Sequence, residues 1–83
     1  MNIFAEHEKD TLKKYLNEGG ILIESSNYVG EPAKIMKLGF NGLFETIGVL
    51  DENISIKIFE IFCDPNPMGF HLISLKQFIE SFC

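Results

Sequence analysis

Three local signals in this 83-residue chain predict an α+β fold: an N-terminal helix, a four- to five-stranded antiparallel meander forming a curved sheet or a small partly closed barrel, and a short C-terminal helix. Residues 4–18 space their apolar side chains as a helix does and run into Gly19-Gly20. Asn41-Gly42 lies between two apolar-rich runs, the pattern of a two-residue hairpin turn. Ser74, followed three positions later by Gln77, opens a last amphipathic segment with a capping box. The whole of 1–83 reads as one domain, which at this length buries roughly 60–65% of its unfolded surface.

In the first helix Phe4, Leu12, Tyr15 and Leu16 share a face. Glu6, Glu8 and Asp10 come first and Lys13 and Lys14 last, in line with the helix dipole. Gly19 suits the left-handed position that ends a helix, and Ile21-Leu22-Ile23 leaves it as a short buried strand. Residues 24–32, a polar stretch ending in Gly30-Glu31-Pro32, read as a loop.

A type I′ turn at Asn41-Gly42 pairs Phe40 with Leu43, Leu38 with Glu45, Met36 with Ile47 and Lys34 with Val49 on one side of the sheet. Gly39/Phe44, Lys37/Thr46, Ile35/Gly48 and Ala33/Leu50 then share the other side. Asp51-Glu52-Asn53 makes a tight connection, and Ile54–Cys63 reads as a long strand whose apolar phase changes near Ile58-Phe59, as at a bulge or sheet corner. Asp64–Gly69 is a Pro/Asn/Gly loop, Phe70–Ile73 a short strand, and Leu75, Phe78, Ile79 and Phe82 the apolar stripe of the last helix. Ile73 and Phe78 stand at its staple positions.

The chain has seven Lys, no Arg and twelve acidic residues, for a net charge of −5. That balance disfavours direct contact with a phosphate backbone, and no planar Arg fork is present to recognise phosphate or guanine. The excess is uneven, −1 over residues 1–41 and −4 over 42–83, which favours a partner that is basic or itself binds nucleic acid. No signal-peptide core or membrane-length apolar run is seen, so a cytoplasmic location with free Cys63 and Cys83 is expected.

Catalytic and metal motifs are lacking. Glu45, placed by the hairpin register beside Leu38, Met36 and Ile47, is the sharpest oddity, either as an acid with a raised pKa or as a carboxylate at the sheet rim. Glu8 falls among Phe4, Leu12 and Tyr15, with fraying of the first turn as the plain explanation; Glu60 interrupts an apolar run, as an edge-strand charge does. His7, His71, Cys63, Asp64 and Cys83 show no paired-ligand spacing, so neither a metal nor a cofactor is expected, and a Cys63–His71 nucleophile has no identifiable oxyanion donors. Gly39 and Gly48 mark twist or close approach within strands, with Phe44 covering Gly39.

The leading functional expectation is a non-catalytic protein-binding module: a small acidic inhibitor, immunity-type or accessory protein, of the sort encoded by phage or mobile elements. Its expected contact residues are Asn27 and Tyr28 in the polar loop, Phe44 and Lys37 on the hairpin's second face, and Glu45, Asp51 and Glu52 in the acidic half. A second copy of the chain is an alternative occupant of that hairpin face. A small-ligand or single-stranded nucleic-acid module on an SH3-like or Sm-like barrel is the alternative reading, and an enzyme using Glu45 or Glu8 the third.

Overall fold

The computed structural model describes residues 3–26, 30–62 and 69–83. Its elements run α1 (Glu6–Asn17), β1 (Leu22–Ser26), β2 (Lys34–Leu38), β3 (Phe44–Val49), α2 (Glu52–Ile61), β4 (Phe70–Ser74) and α3 (Leu75–Phe82). The α+β class holds. The four strands form one open antiparallel sheet in the order β3-β2-β1-β4, so the meander covers the first three and β4 returns, through α2, to the far side of β1. Among the described residues the sheet does not close into a barrel.

α1 ends as its glycines foretell. Gly19 adopts φ +97°, its N–H donates to the Leu16 carbonyl, and the Gly20 N–H donates to the Tyr15 carbonyl at 2.8 Å. These two bonds are those of a Schellman motif. β1 then runs to Ser26, so the polar residues Glu24 to Ser26 are strand rather than loop. Pairing on both flanks, with β2 and with β4, overrides their weak strand propensity.

The hairpin differs from the expected one in its turn. Only Gly42 takes a positive φ, +82°, and its N–H donates to the Gly39 carbonyl, while the Gly39 N–H donates to the Leu43 carbonyl. The loop is therefore the three residues Phe40-Asn41-Gly42, a type I turn closed by a glycine bulge, and the Asn41 side chain accepts from the Leu43 N–H. This extra residue slips the register by one next to the turn. Leu38 pairs with Phe44, Lys37 with Glu45 and Met36 with Thr46. A second irregularity, which skips Ile47, restores the expected pairs Ile35/Gly48 and Lys34/Val49.

The second bulge has a packing reason. It turns Ile47 toward the core together with Gly48, where a Cβ would collide with the Tyr15 ring of α1. Gly48 is thus the close approach expected of a strand glycine, whereas Gly39 belongs to the turn and is not covered by Phe44.

Residues 52–61 are helical, not a strand. Asp51 accepts from the Ile54 N–H at 2.8 Å as the N-cap, and Ile54 and Ile58, one turn apart, are fully buried. The apparent phase change of a strand is the i, i+4, i+7 stripe Ile54, Ile58, Ile61 of a helix. α3 starts at the expected N-cap, with Ser74 Oγ accepting from the Gln77 N–H.

All the deeply buried apolar residues lie between the helices and one sheet face: Phe4 and Leu12 from the N-terminal segment, Ile23 and Ile35 from the sheet, Ile54 and Ile58 from α2, Leu75 and Phe78 from α3. Phe78 sits at the hub of an aromatic cluster, 4.9 Å from Phe82, 5.7 Å from Phe4 and 5.9 Å from Phe62 between ring centroids.

Candidate interaction surface

With the helices on the Ile23/Ile35 side, no element among the described residues covers the opposite sheet face. By the strand registers it carries Leu22, Glu24 and Ser26 from β1, Lys34, Met36 and Leu38 from β2, Phe44, Thr46 and Val49 from β3, and Phe70 and Leu72 from β4. Leu38, Phe44, Val49, Phe70 and Leu72 each keep about half or more of their surface in water. Phe40 and Leu43 extend this apolar area at the hairpin tip, Phe40 being fully exposed. Large apolar side chains this densely grouped on one face are unusual for a surface with no partner.

Charge on this face is limited to Glu24 and Lys34, which are cross-strand partners and which form no ion pair among the described residues. The face is formally neutral in a chain of net charge −5. A depression of about 310 Å³ at its end is lined by Glu24, Ser26, Glu31, Pro32, Lys34 and Phe70. Around Pro32 toward the helical side lies a second depression, of about 320 Å³, whose walls include Glu31, Glu52, Ile56 and Phe59.

Several expected site residues are reassigned. Lys37 and Glu45 form a cross-strand ion pair at 3.7 Å on the helical side of the hairpin tip. Glu45 is exposed and is not set among Leu38, Met36 and Ile47; the one-residue slip at the turn moves it to the other face. The same slip puts Phe44 beside Leu38, and the helices cover the Ile35 side rather than the Met36/Leu38 side. Asp51 and Glu52 are both exposed, and Asp51 caps α2 by accepting from the Ile54 N–H. Asn27, Tyr28, Cys63 and Asp64 lie outside the described residues.

Glu8 is neither frayed nor exposed. It is buried in the first turn of α1, where one carboxylate oxygen accepts from the Ala5 N–H at 2.8 Å and from Lys57 Nζ at 2.6 Å. The Ala5 bond is one half of a capping box, since Ala itself offers no side-chain acceptor. The Lys57 hydrogen bond first, and then the Ala5 N–H, hold the Glu8 carboxyl below its ordinary range against the opposing effect of burial. Lys57 also lies 5.7 Å from the Phe4 ring centroid. The group ties α1 to α2, and a carboxylate stabilised in its charged form is poorly suited to donate a proton.

Glu60 is exposed on α2, and His71 packs its ring against Phe62 at 6.0 Å. Burial pushes the Cys83 thiol up, away from thiolate reactivity. Among the described residues, no group of three His, Cys, Asp or Glu side chains is placed to hold a metal, and no helix is long and apolar enough to cross a membrane. No protein-family model, curated protein or solved structure matches the chain.

The apolar sheet face escapes a reading of the sequence for an identifiable reason. Phe70 and Leu72 alternate with His71 and Ile73, a period-two signal on its own. Only the pairing of β4 with β1 places those two residues on the same face as Leu38 and Phe44.

Proposed function

We propose that this chain is a non-catalytic protein-binding module that engages its partner through the open face of the sheet. The observation that carries the reading is the grouping of Leu38, Phe44, Val49, Phe70 and Leu72 on the face opposite the helical layer. Aromatic and aliphatic anchors on a regular scaffold, ringed by polar groups, are the usual makeup of such contacts. A single Lys among the aromatics gives little support for single-stranded nucleic acid, whose binding needs a cationic track as well as stacking rings.

The test is capture of binding proteins by the tagged full-length chain in the presence of nuclease, comparing the parent with Leu38→Lys/Leu72→Lys and with Glu52→Lys. Both leucines are more than half exposed, so the double change leaves the fold intact while charging the face. Loss of a stoichiometric protein in the leucine variant alone supports the open face as the contact. Loss in the Glu52 variant alone moves the contact to the acidic helical side, and retention in both refutes the sheet-face reading.

A second reading, small-ligand binding, has one observation in its favour: the depression where Glu31 and Glu52 flank the apolar walls of Ile56 and Phe59, a setting for an organic cation. Thermal stabilisation by alkyl ammonium compounds that is abolished in Glu52→Gln would support it, and no stabilisation at millimolar concentrations would remove it.

A further inference from the structure

Resting on the reading of the open sheet face as a contact surface, we infer that its occupant is a second copy of this chain, packed sheet to sheet in a two-fold dimer with the helical layers outward. Three features of the face favour a copy of itself over a basic partner.

The first is charge. The acidic excess that would attract a basic protein lies off this face, which balances one Glu against one Lys. Packing two neutral faces together also places the two acidic helical layers on opposite outer sides of the dimer, where repulsion between them is smallest and most screened.

The second is the arrangement of groups. By the registers, Val49, Lys34, Glu24 and Leu72 form one row across the four strands, and Thr46, Met36, Leu22 and Ser74 the next. A two-fold axis in the interface, parallel to the strands and midway between β1 and β2, sets Glu24 of each copy against Lys34 of the other. It also brings Leu72 of each against Val49 of its mate, and Leu22 against Met36. Such reciprocity is what an isologous contact requires.

The third is size. Four strands of about five residues, spaced about 4.8 Å apart and rising about 3.3 Å per residue, present on the order of 300 Å² in projection and roughly twice that as accessible side-chain surface. Buried in full, the face reaches the lower end of the range of specific interfaces, about 600–1,000 Å² per partner.

The experiment is sedimentation of the purified full chain from about 1 μM to 1 mM, beside Leu38→Lys/Leu72→Lys, Glu24→Lys and Lys34→Glu, each checked for native circular dichroism. The expected result is a species of twice the 9.4 kDa chain mass that dissociates on dilution, and a monomer throughout for the leucine variant. Each single charge variant should dissociate at least tenfold more readily than the parent, because like charges then face one another. Mixing the two should restore the dimer, since the Glu24→Lys chain carries lysine at both positions and the Lys34→Glu chain carries glutamate at both, so that opposite charges meet across the interface.

A parent that stays monomeric to 1 mM, or a dimer that persists in the leucine variant, overturns the inference. The two proposals fail separately. A monomer whose captured partner is lost in the leucine variant keeps the contact face and removes only the second copy, whereas a monomer with no such loss removes both.

Discussion

Replacing Ser55 with Ala should cost this domain about 2 kcal/mol, because its hydroxyl stands inside the β2–β3 ladder. Leu50 N–H donates directly to the Ala33 carbonyl at 2.8 Å, but the reciprocal bond is not direct: Ala33 N–H donates to Ser55 Oγ at 2.9 Å, and that hydroxyl donates to the Leu50 carbonyl at 3.3 Å. All three residues are buried. In Ser55→Ala the Ala33 N–H loses its acceptor in a place water does not reach, at a cost of about 1–3 kcal/mol. The better helix propensity of Ala in α2 returns only a few tenths of that. In a domain of this size a loss of about 2 kcal/mol lowers the thermal midpoint by roughly 8–16 °C. In urea it moves the midpoint down by about 1–2 M at an unchanged slope. Circular dichroism during urea unfolding reads this, with Ser81→Ala on the exposed side of α3 as the control expected to stay within about 0.5 kcal/mol of the parent. A Ser55→Ala midpoint as close to the parent as that control would refute the reasoning and show that the ladder closes without the hydroxyl.

The Glu8–Lys57 contact makes stability depend on pH in a defined direction. With the Glu8 carboxyl held below its ordinary value of 4.5, the unfolded chain takes up this proton more readily than the folded one, so the stabilisation is complete above about pH 4.5 and is lost as pH falls through the lower folded-state value. Glu8→Gln should therefore cost about 2 kcal/mol at pH 7, less than a fully buried pair because Lys57 is nearly a third exposed, and the gap to the parent should narrow as pH falls below 4.5; a gap that stays constant on acidification in urea titrations would count against it. Gly48→Ala should cost about 1–3 kcal/mol by driving a methyl into the Tyr15 ring, and Tyr15→Leu should recover much of that loss; equal costs in both backgrounds would place the strain elsewhere.

Where chain signals are local, the sequence is readable. The Gly19-Gly20 stop, the Ser74 cap and the short Phe70 strand depend on residues within a turn of one another, and each is present as expected. α2 reads as a strand because its β-branched residues, Ile54, Ile56, Ile58 and Ile61, outweigh an N-cap Asp followed by a helical stripe. Burial of Ile54 and Ile58 against the sheet decides that segment, and burial is a property of the assembled fold. The turn departs from expectation for a finer reason. Asn-Gly is compatible with either a two-residue or a three-residue loop, and the Asn41 bond to the Leu43 N–H goes with the longer one. One residue of slip exchanges the two faces beside the turn, so Phe44 is a surface residue as expected but with different neighbours, and Glu45 lacks the apolar setting that the shorter loop would give it.

The division of the phenylalanines separates the core from the proposed contact face. Phe4, Phe62, Phe78 and Phe82 touch one another beneath the helices and belong to the core, whereas Phe40, Phe44 and Phe70 sit on or beside the opposite sheet face with about half or more of their surface in water. A core aromatic cannot be removed without several kcal/mol of lost packing. The exposed three contribute little to the isolated fold, because about half or more of their surface stays in water. Their apolar area instead favours association, at about 25 cal/mol per Å² removed from water. The open face can therefore be rewritten with polar residues to abolish association while the helical layer, the Ser55 bridge and the Glu8–Lys57 tie keep the domain folded. This independence is what makes the partner question answerable by substitution rather than by truncation.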